Sequence, residues 1–594
     1  MREWKLRDTV MVVFMVIVVI TMYMQMVQND RLYERVSDMI NVVESGGFAT
    51  ATANSNTSDR DGRWLVPDAE PGGFAVVHYN AQPATLNPIT YKDVYGSVIL
   101  FESGVYTTLL ERDPESLDLI GRLAESWEIS DDKLQITMAI KPEARWSDGA
   151  PVVAEDVAFS FRVMMLSTVD AQRTQTYYVD CEKVEAISDR KVRFTWKKKY
   201  FKSLEMSGGL NIIPKHVIDP EGLIDSDPKA FAEKINKWRF EWEGKPQVCN
   251  GPYLLEEWNQ SANRVVLRRN DDYWGPKPPL QKLVFRFISD DTAALQALKA
   301  DEFDAMWLTP EQWQNQTDDP AFLERFIKRK YYRVTSGYNY IGWNNRRAPF
   351  DDMRVRQAMS YLVPRDLIIE KIFYNLRKPV NGPFAMGSKQ SNPEIGQWPF
   401  DPAKAAALLS EAGFADTDGD GILDRQGKPL TFSIAIPSGS PAYEQVVTLI
   451  QDEMAKVGVK MNIDPYEWSV FTGRLDSRDF DACMLGWGGT VEGDPYQIWH
   501  SSSSENKGSN HIGYENAEVD DLIIKAREEF DEDARNAMYH RIHEIIFNEQ
   551  PYTFLITGPS LMATSKRLRN VNTYKTGVDF KEWWVPVSER RRPG

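Results

Sequence analysis

Cysteine is nearly missing from this chain: Cys181, Cys249 and Cys483 are three residues in 594. With no CxxC and no dense framework, disulfides do not define the fold; one pair with a leftover thiol and three buried thiols both fit. No cysteine follows the apolar N-terminal run, which argues against a lipid anchor of the bacterial lipoprotein kind. Positive charge is also short, since 70 Lys and Arg against 86 Asp and Glu leave a net −16. That balance excludes nucleic acid or anionic lipid as the main partner, because both need clustered cations. The basic tail Arg590-Arg591-Arg592 is too short to reverse it. There is no Gly-x-Ser-x-Gly elbow, no phosphate loop and no dinucleotide fingerprint. His540 and His543 stand three apart ahead of Glu544, whereas a zinc-protease helix needs its histidines four apart with the Glu next to the first. With Ile542, Ile545 and Ile546 on the same stretch, that spacing reads as amphipathic packing. Paired carboxylates abound in so acidic a chain and single out no catalytic pair.

What is present begins with length. A chain of 594 residues exceeds one hydrophobic core, so two or three domains are expected. Thr9 to Val27 is an almost uninterrupted apolar run flanked by Arg2, Lys5 and Arg7. As a helix it rises about 28 Å, close to the hydrocarbon thickness of a bilayer. Gln28-Asn29-Asp30-Arg31 follows at once instead of small residues, and Ala49-Thr50-Ala51 lies too far downstream for cleavage. The expectation is an uncleaved signal anchor over residues 1–30, basic side inside, with the bulk of the chain exported. Leu32, Val36, Ile40 and Val43 recur at helical spacing, either as a stalk pairing with a neighbour or as a stub packed on its own domain. Gly46 to Arg63 is mostly small and polar, a flexible tether of about 25 Å that closes a linker region over 31–66.

Two dense runs carry most information. In Leu123 to Phe161, Leu134, Ile136, Met138 and Ile140 alternate with polar or small residues, which predicts a strand with one buried face. Trp146-Ser147-Asp148-Gly149 predicts a turn, and Pro151 followed by Ala154-Glu155-Asp156-Val157 opens a helix whose early acids suit its positive end. The second run, Asn339 to Ser360, reads NYIGWNNRRAPFDDMRVRQAMS. Thr85-Leu86-Asn87-Pro88, Asn250-Gly251-Pro252-Tyr253, Asn270-Asp271-Asp272-Tyr273-Trp274-Gly275 and Arg354-Val355-Arg356-Gln357-Ala358 complete an ordered series. In this order and spacing the chain resembles the family-5 solute-binding proteins, large periplasmic receptors of ABC importers, over nearly everything after residue 70. It departs at Asn250, where the family commonly has Thr, and at Pro364-Arg365, where an Asp-Arg pair is usual.

The resemblance implies an α/β fold of the type II-like periplasmic binding protein class, two lobes on a hinge plus an inserted domain. A discontinuous first lobe would comprise 67–103, 231–330 and 555–594, with an inserted domain over 104–230 and a third over 331–554. Ligand would lie between the first and third, which close around it. No chemical step is implied. The leading function is a membrane-tethered receptor on the periplasmic face of the inner membrane, handing peptides to a permease. The same fold holding an oligosaccharide or another solute, a tethered ligand sensor, and a hydrolase on a borrowed fold are the alternatives.

Two segments offer sites. Asp416, Asp418, Asp420, the carbonyl of Ile422 and Asp424 stand at positions one, three, five, seven and nine of a calcium-loop pattern, with Gly421 at the sixth and Gly427 where a bidentate Glu is usual. A structural calcium and a solvated Asp-Gly hairpin are both open; no cofactor is required. In Asp479 to Pro495, Trp487, Gly488 and Gly489 would clamp an extended ligand through exposed backbone beside an aromatic ring, or else form a strand end with a core Trp. Relatives that bind peptides carry an Asp after this Trp for the peptide ammonium; the count falls here on Thr490, with Glu492 and Asp494 slightly later. Either one of those acids takes over or the ligand has no free amine. Trp343, with Asn344 beside it, Trp499 and Tyr253 are further binding candidates, as aromatic platforms for a sugar.

Overall fold

The structure, a computed structural model, describes residue 66 and residues 69–505 and 508–591. The expected anchor at 9–27, the stalk and the tether up to Arg63 lie outside the described residues, as does Arg592. Among the described residues no helix is long and apolar enough to cross a membrane.

Three sheets organise the chain. The first has seven strands, in the order Phe326–Tyr331, Ser560–Ser565, Ala305–Trp307, Phe74–Tyr79, Lys282–Phe287, Arg264–Arg269 and Tyr253–Asn259. Its centre is buried on both faces, which suits the continuous apolar run Ala75-Val76-Val77. One buried carboxylate ties three distant chain pieces together here. Asp304 accepts the Val76 N–H at 2.8 Å and pairs with Arg567 from the chain's last quarter.

The second sheet, Ala124–Ile129, Gln135–Ile140, Lys191–Trp196 and Cys181–Ser188, is antiparallel throughout. Ile136, Met138 and Ile140 face the core as their alternation predicts. The turn is present as well, with the Gly149 N–H donating to Trp146 O at 2.9 Å and Gly149 at φ +90°. The helix that follows, Ala154–Met165, is started by Asp156, which accepts from the Val153 N–H at 3.0 Å and from Trp146 Nε1 at 2.9 Å. Helix Pro228–Lys237 sends Phe231 against Phe159, at a ring distance of 6.0 Å. Phe231, at the expected start of the first lobe's second piece, lies in a core shared by the first lobe and the inserted domain.

The third sheet runs Lys460–Tyr466, Thr431–Pro437, Ala482–Trp487, Tyr338–Trp343 and Tyr552–Phe554. Thr431–Pro437 and Lys460–Tyr466 are parallel, joined by helix Pro441–Ala455 as a crossover. The chain passes between the first and third sheets twice, at 332–337 and at 558–559. Ile556–Thr557 still pairs with Lys378–Pro379 of the third lobe, so the second passage begins after Thr557 and not at 555.

All three cysteines are free and buried, and burial pushes each thiol up to about 12. Of the two expectations for cysteine, the structure has three buried thiols.

Candidate functional site

Strand Ala482–Trp487 carries the chain out of the third sheet towards the two passages. At its end the Trp487 ring lies parallel to Tyr340 and to His511, at 6.3 and 5.9 Å, and its Nε1 donates to Tyr552 Oη at 3.3 Å. His511 is buried, and burial, then Arg478 and Arg173, push its pKa down to about 3. A neutral ring is what the geometry demands, since Arg478 donates into Nδ1 at 2.9 Å. Gly488 faces solvent, but the Gly489 N–H donates to Thr335 O at 3.0 Å, within the first passage. Opposite it, a Cβ on Gly337 would lie 1.5 Å from Trp487 O. The glycine run thus fits the backbone of the hinge closely, and the Gly489 donor is engaged by the protein itself.

Thr490 is exposed at the rim of a cavity of about 340 Å³ lined by Tyr177, Lys202 and Glu205 of the inserted domain and by Gln390, Trp487 and Trp499 of the third lobe. Neither acid proposed for an ammonium is free there. The Asp494 side chain is 1% exposed, accepts from Tyr200 Oη at 2.8 Å, and lies 3.1 Å from Arg527 Nε, close in distance though not aligned as a hydrogen bond. The Arg527 guanidinium is held between the rings of Tyr200 and Tyr496, 4.6 Å from each. Glu492 accepts from Arg535 Nε at 2.8 Å, and its carbonyl accepts from Lys202 Nζ at 2.9 Å. These contacts fasten the inserted domain to the third lobe.

Three other candidates are corrected outright. Trp343 is fully buried between Phe350 and Phe432, with Nε1 on Thr553 Oγ1 at 3.0 Å. Asn344 is buried and donates to the carbonyls of Phe480 and Arg478 at 2.8 and 3.3 Å, closing the end of the strand. Tyr253 is buried with its hydroxyl on Leu280 O at 3.2 Å. Each sits inside a lobe, not on a wall that a ligand could reach. Trp499 is buried too, yet it lines the cavity beside Trp487.

In the acidic loop, carboxylate oxygens of Asp416, Asp418 and Asp420 lie within 4.8 Å of one another, all three residues exposed. Each also accepts a backbone N–H: Asp416 from Gly419, Asp418 from Asp420, and Asp420 from Ile422. Asp424 turns the other way, accepting from the N–H and Oγ1 of Thr417 at 2.9 and 2.5 Å. Beyond it Asp424–Arg425 pairs with Lys428–Pro429 across Gln426 and Gly427, both at positive φ, so position twelve is a hairpin turn. His543 is equally structural: its Nδ1 accepts the Asn392 N–H at 3.1 Å and its Nε2 lies 3.3 Å from Asn381 O.

The larger cavity, about 690 Å³, lies between the first and third lobes, and of the motif residues only Asn339, which opens the second run, lines it. The first lobe contributes Tyr79, Asp291 and Trp307; the third contributes Tyr374, Arg377 and Tyr443. Tyr79 stacks on Trp307 at 5.2 Å. The only sequence signal was aromatic residues at strand ends, which are as common in cores.

Two α/β lobes joined by two chain passages over an internal cavity define a hinged ligand-binding protein. The family model for bacterial extracellular solute-binding proteins, family 5 (middle), matches residues 118–509, and the chain belongs to that family. It is 28% identical over 554 residues to the oligopeptide-binding protein AppA of Bacillus subtilis (strain 168), covering 91% of this chain and 96% of that protein. It is 27% identical over 503 residues to the heme-binding protein A of Haemophilus influenzae, covering 80% and 85%. The solved structure of Bacillus subtilis AppA in complex with a nonapeptide matches with a TM-score of 0.77 at 27% identity, covering 87% of this chain and 100% of that one. NikZ from Campylobacter jejuni in complex with Ni(L-His) shares the fold, with a TM-score of 0.73 at 22% identity over 86% of this chain and 99% of its own. The fold is that of type II-like periplasmic binding proteins, and the chain is a solute-binding protein, not an enzyme.

Proposed function

We propose that this protein captures peptides by closing its lobes and delivers them to the permease of an ABC importer, held at the periplasmic face of the inner membrane by residues 9–27. The observation that carries the reading is the cavity walled by both lobes, in a chain similar along nearly its whole length to an oligopeptide-binding protein. Capture would bury the solute on two sides and give the permease a shape distinct from the empty receptor. Main-chain hydrogen bonds and hydrated pockets would let it accept varied sequences. Native mass spectrometry of residues 67–594, purified without refolding, tests this: a ladder of released peptide masses is expected, and a single sugar or metal-chelate mass would replace the substrate class. The stacked Tyr79–Trp307 pair favours an oligosaccharide as the second reading, because flat rings suit sugar faces.

For the acidic loop we propose a structural calcium held by Asp416, Asp418 and Asp420, supported by their converging oxygens. Calorimetric titration of chelated protein is expected to show uptake at millimolar calcium; no heat there would remove the proposal.

A further inference from the structure

The interlobe cavity contains one charge on each side, Arg377 and Asp291, that no opposite charge among the described residues pairs with. Arg377 lies between helix Arg365–Lys371 and strand Lys378–Pro379, at the third lobe's hinge side. Its guanidinium lies over the Phe373 ring at 5.8 Å, but its Nε is buried without a hydrogen-bond partner among the described residues, and the ionisable groups facing it are the hydroxyls of Tyr443 and Tyr332, with no carboxylate among them. Gly558, in the second passage, makes room for it: a Cβ there would meet Arg377 Cδ at 2.4 Å. Other buried arginines differ in having an acid or a carbonyl beside them, although Arg527 Nε and Arg567 Nη1 are likewise without a hydrogen bond. Arg567 has Asp304, Arg527 has Asp494, Arg365 donates to Phe554 O at 2.7 Å and Arg356 to Phe350 O at 2.8 Å. An arginine cannot shed its proton to escape burial, so an unanswered one facing a cavity calls for an anion from outside.

Across the cavity, Asp291 opens helix Asp291–Lys299 of the first lobe. No cation among the described residues pairs with it, although its backbone carbonyl accepts from Gln312 Nε2 at 2.6 Å. Burial and the neighbouring Asp290 push its carboxyl above the usual range, the response of an acid lacking a counter-ion. Glu311, also at this cavity, is already engaged by Tyr374 Oη and Asn315.

We propose that this cavity takes a short zwitterionic peptide, its free carboxylate on Arg377 of the third lobe and its ammonium on Asp291 of the first. The inference rests on the peptide-capture reading and gives it a direction and an end-group requirement. Because the two charges belong to different lobes, a ligand bearing both ends would neutralise each only in the closed form, which couples recognition to closure. It also accounts for the engagement of Glu492 and Asp494 by arginines: the amine is met on the opposite lobe.

The test uses the full chain in mild detergent and three randomised tripeptide pools, free, C-amidated and N-acetylated, with binding read by native mass spectrometry and calorimetry. The free pool is expected to bind, amidation to weaken it about 10- to 100-fold, and acetylation to act similarly, as removal of a charge-assisted contact does. Arg377→Gln should bind free and amidated pools alike, and Asp291→Asn free and acetylated pools alike. Equal capture of all three pools by the unaltered protein would overturn the inference and leave the peptide reading standing. Capture of none would remove both. The pool comparison needs no variant, so misfolding of either substitution, checked by circular dichroism, does not protect the proposal.

Discussion

Asp494 and Arg527 lie at a junction of two domains, and their environment fixes what each can do. The carboxylate is 1% exposed and the guanidinium, between two tyrosine rings, is 7% exposed. Removing one partner leaves the other charge buried and unanswered, which costs more than the pair itself contributes. Asp494→Asn is expected to destabilise the protein by about 3 kcal/mol, seen as a lower urea midpoint, and Asp494→Asn with Arg527→Met by less. An unchanged midpoint in the single variant would refute the pairing. His511 and His543 make a second residue-scale expectation. Both rings are neutral in the fold, with pKa values pushed by burial to about 3 and about 4 from an ordinary 6.5. The unfolded chain therefore binds more protons between those values, so their contribution is complete above pH 6.5 and is lost as pH falls towards the folded values. Each histidine should add up to about 1.4 kcal/mol per pH unit to the slope of stability in that window. His511→Gln should flatten the slope between pH 6 and 4; the same slope as the parent would contradict the buried neutral ring.

At the scale of elements, the close fit between the first passage and the end of strand Ala482–Trp487 matters most. Gly337 has no room for a methyl group, because the obstacle is the Trp487 carbonyl and not a side chain that could swing away. Gly337→Ala is expected to cost about 3 kcal/mol or more and to alter tryptophan fluorescence, since the displaced segment includes Trp487. Full retention of both stability and emission would mean the passage is looser than described. Element type was readable wherever periodicity was strong. Residues 134–140 alternate and Gln135–Ile140 forms a half-buried strand, and Asp156 three residues after Val153 starts its helix through a contact local in sequence. Trp343 and Trp487 show the limit: each ends a strand as the second residue of a Gly-Trp pair. Trp343 ends a strand paired on both sides and tucks into the core, whereas Trp487 ends where the sheet meets the hinge. Nothing in the strands themselves distinguishes them, because burial depends on neighbours brought in from other elements.

For the whole molecule, the thiols report on assembly. Cys181 belongs to the inserted sheet, Cys249 precedes the edge strand of the first sheet, and Cys483 lies within the third. Cys181 and Cys249 share one hydrophobic core and Cys483 lies in another, and all three are free and buried. A chromogenic thiol reagent is expected to find none in the native protein and three after denaturation. Two fewer after denaturation would indicate a disulfide. Closure is the other property of this scale: on binding, small-angle scattering should show a smaller radius of gyration, and no change would argue against a hinge.

By itself the sequence determined the family, the α/β class and the strand, turn and helix between residues 135 and 165. All of these are written in local patterns or in the order of motifs along the chain. Only the tertiary structure decided which polar groups are engaged and which are free. Glu492 and Asp494 look available in sequence and are held by Arg535 and Arg527; Arg377 looks ordinary and faces a cavity without a counter-ion. The reason is physical: the state of a buried charge depends on what surrounds it, and its surroundings arrive from other sheets.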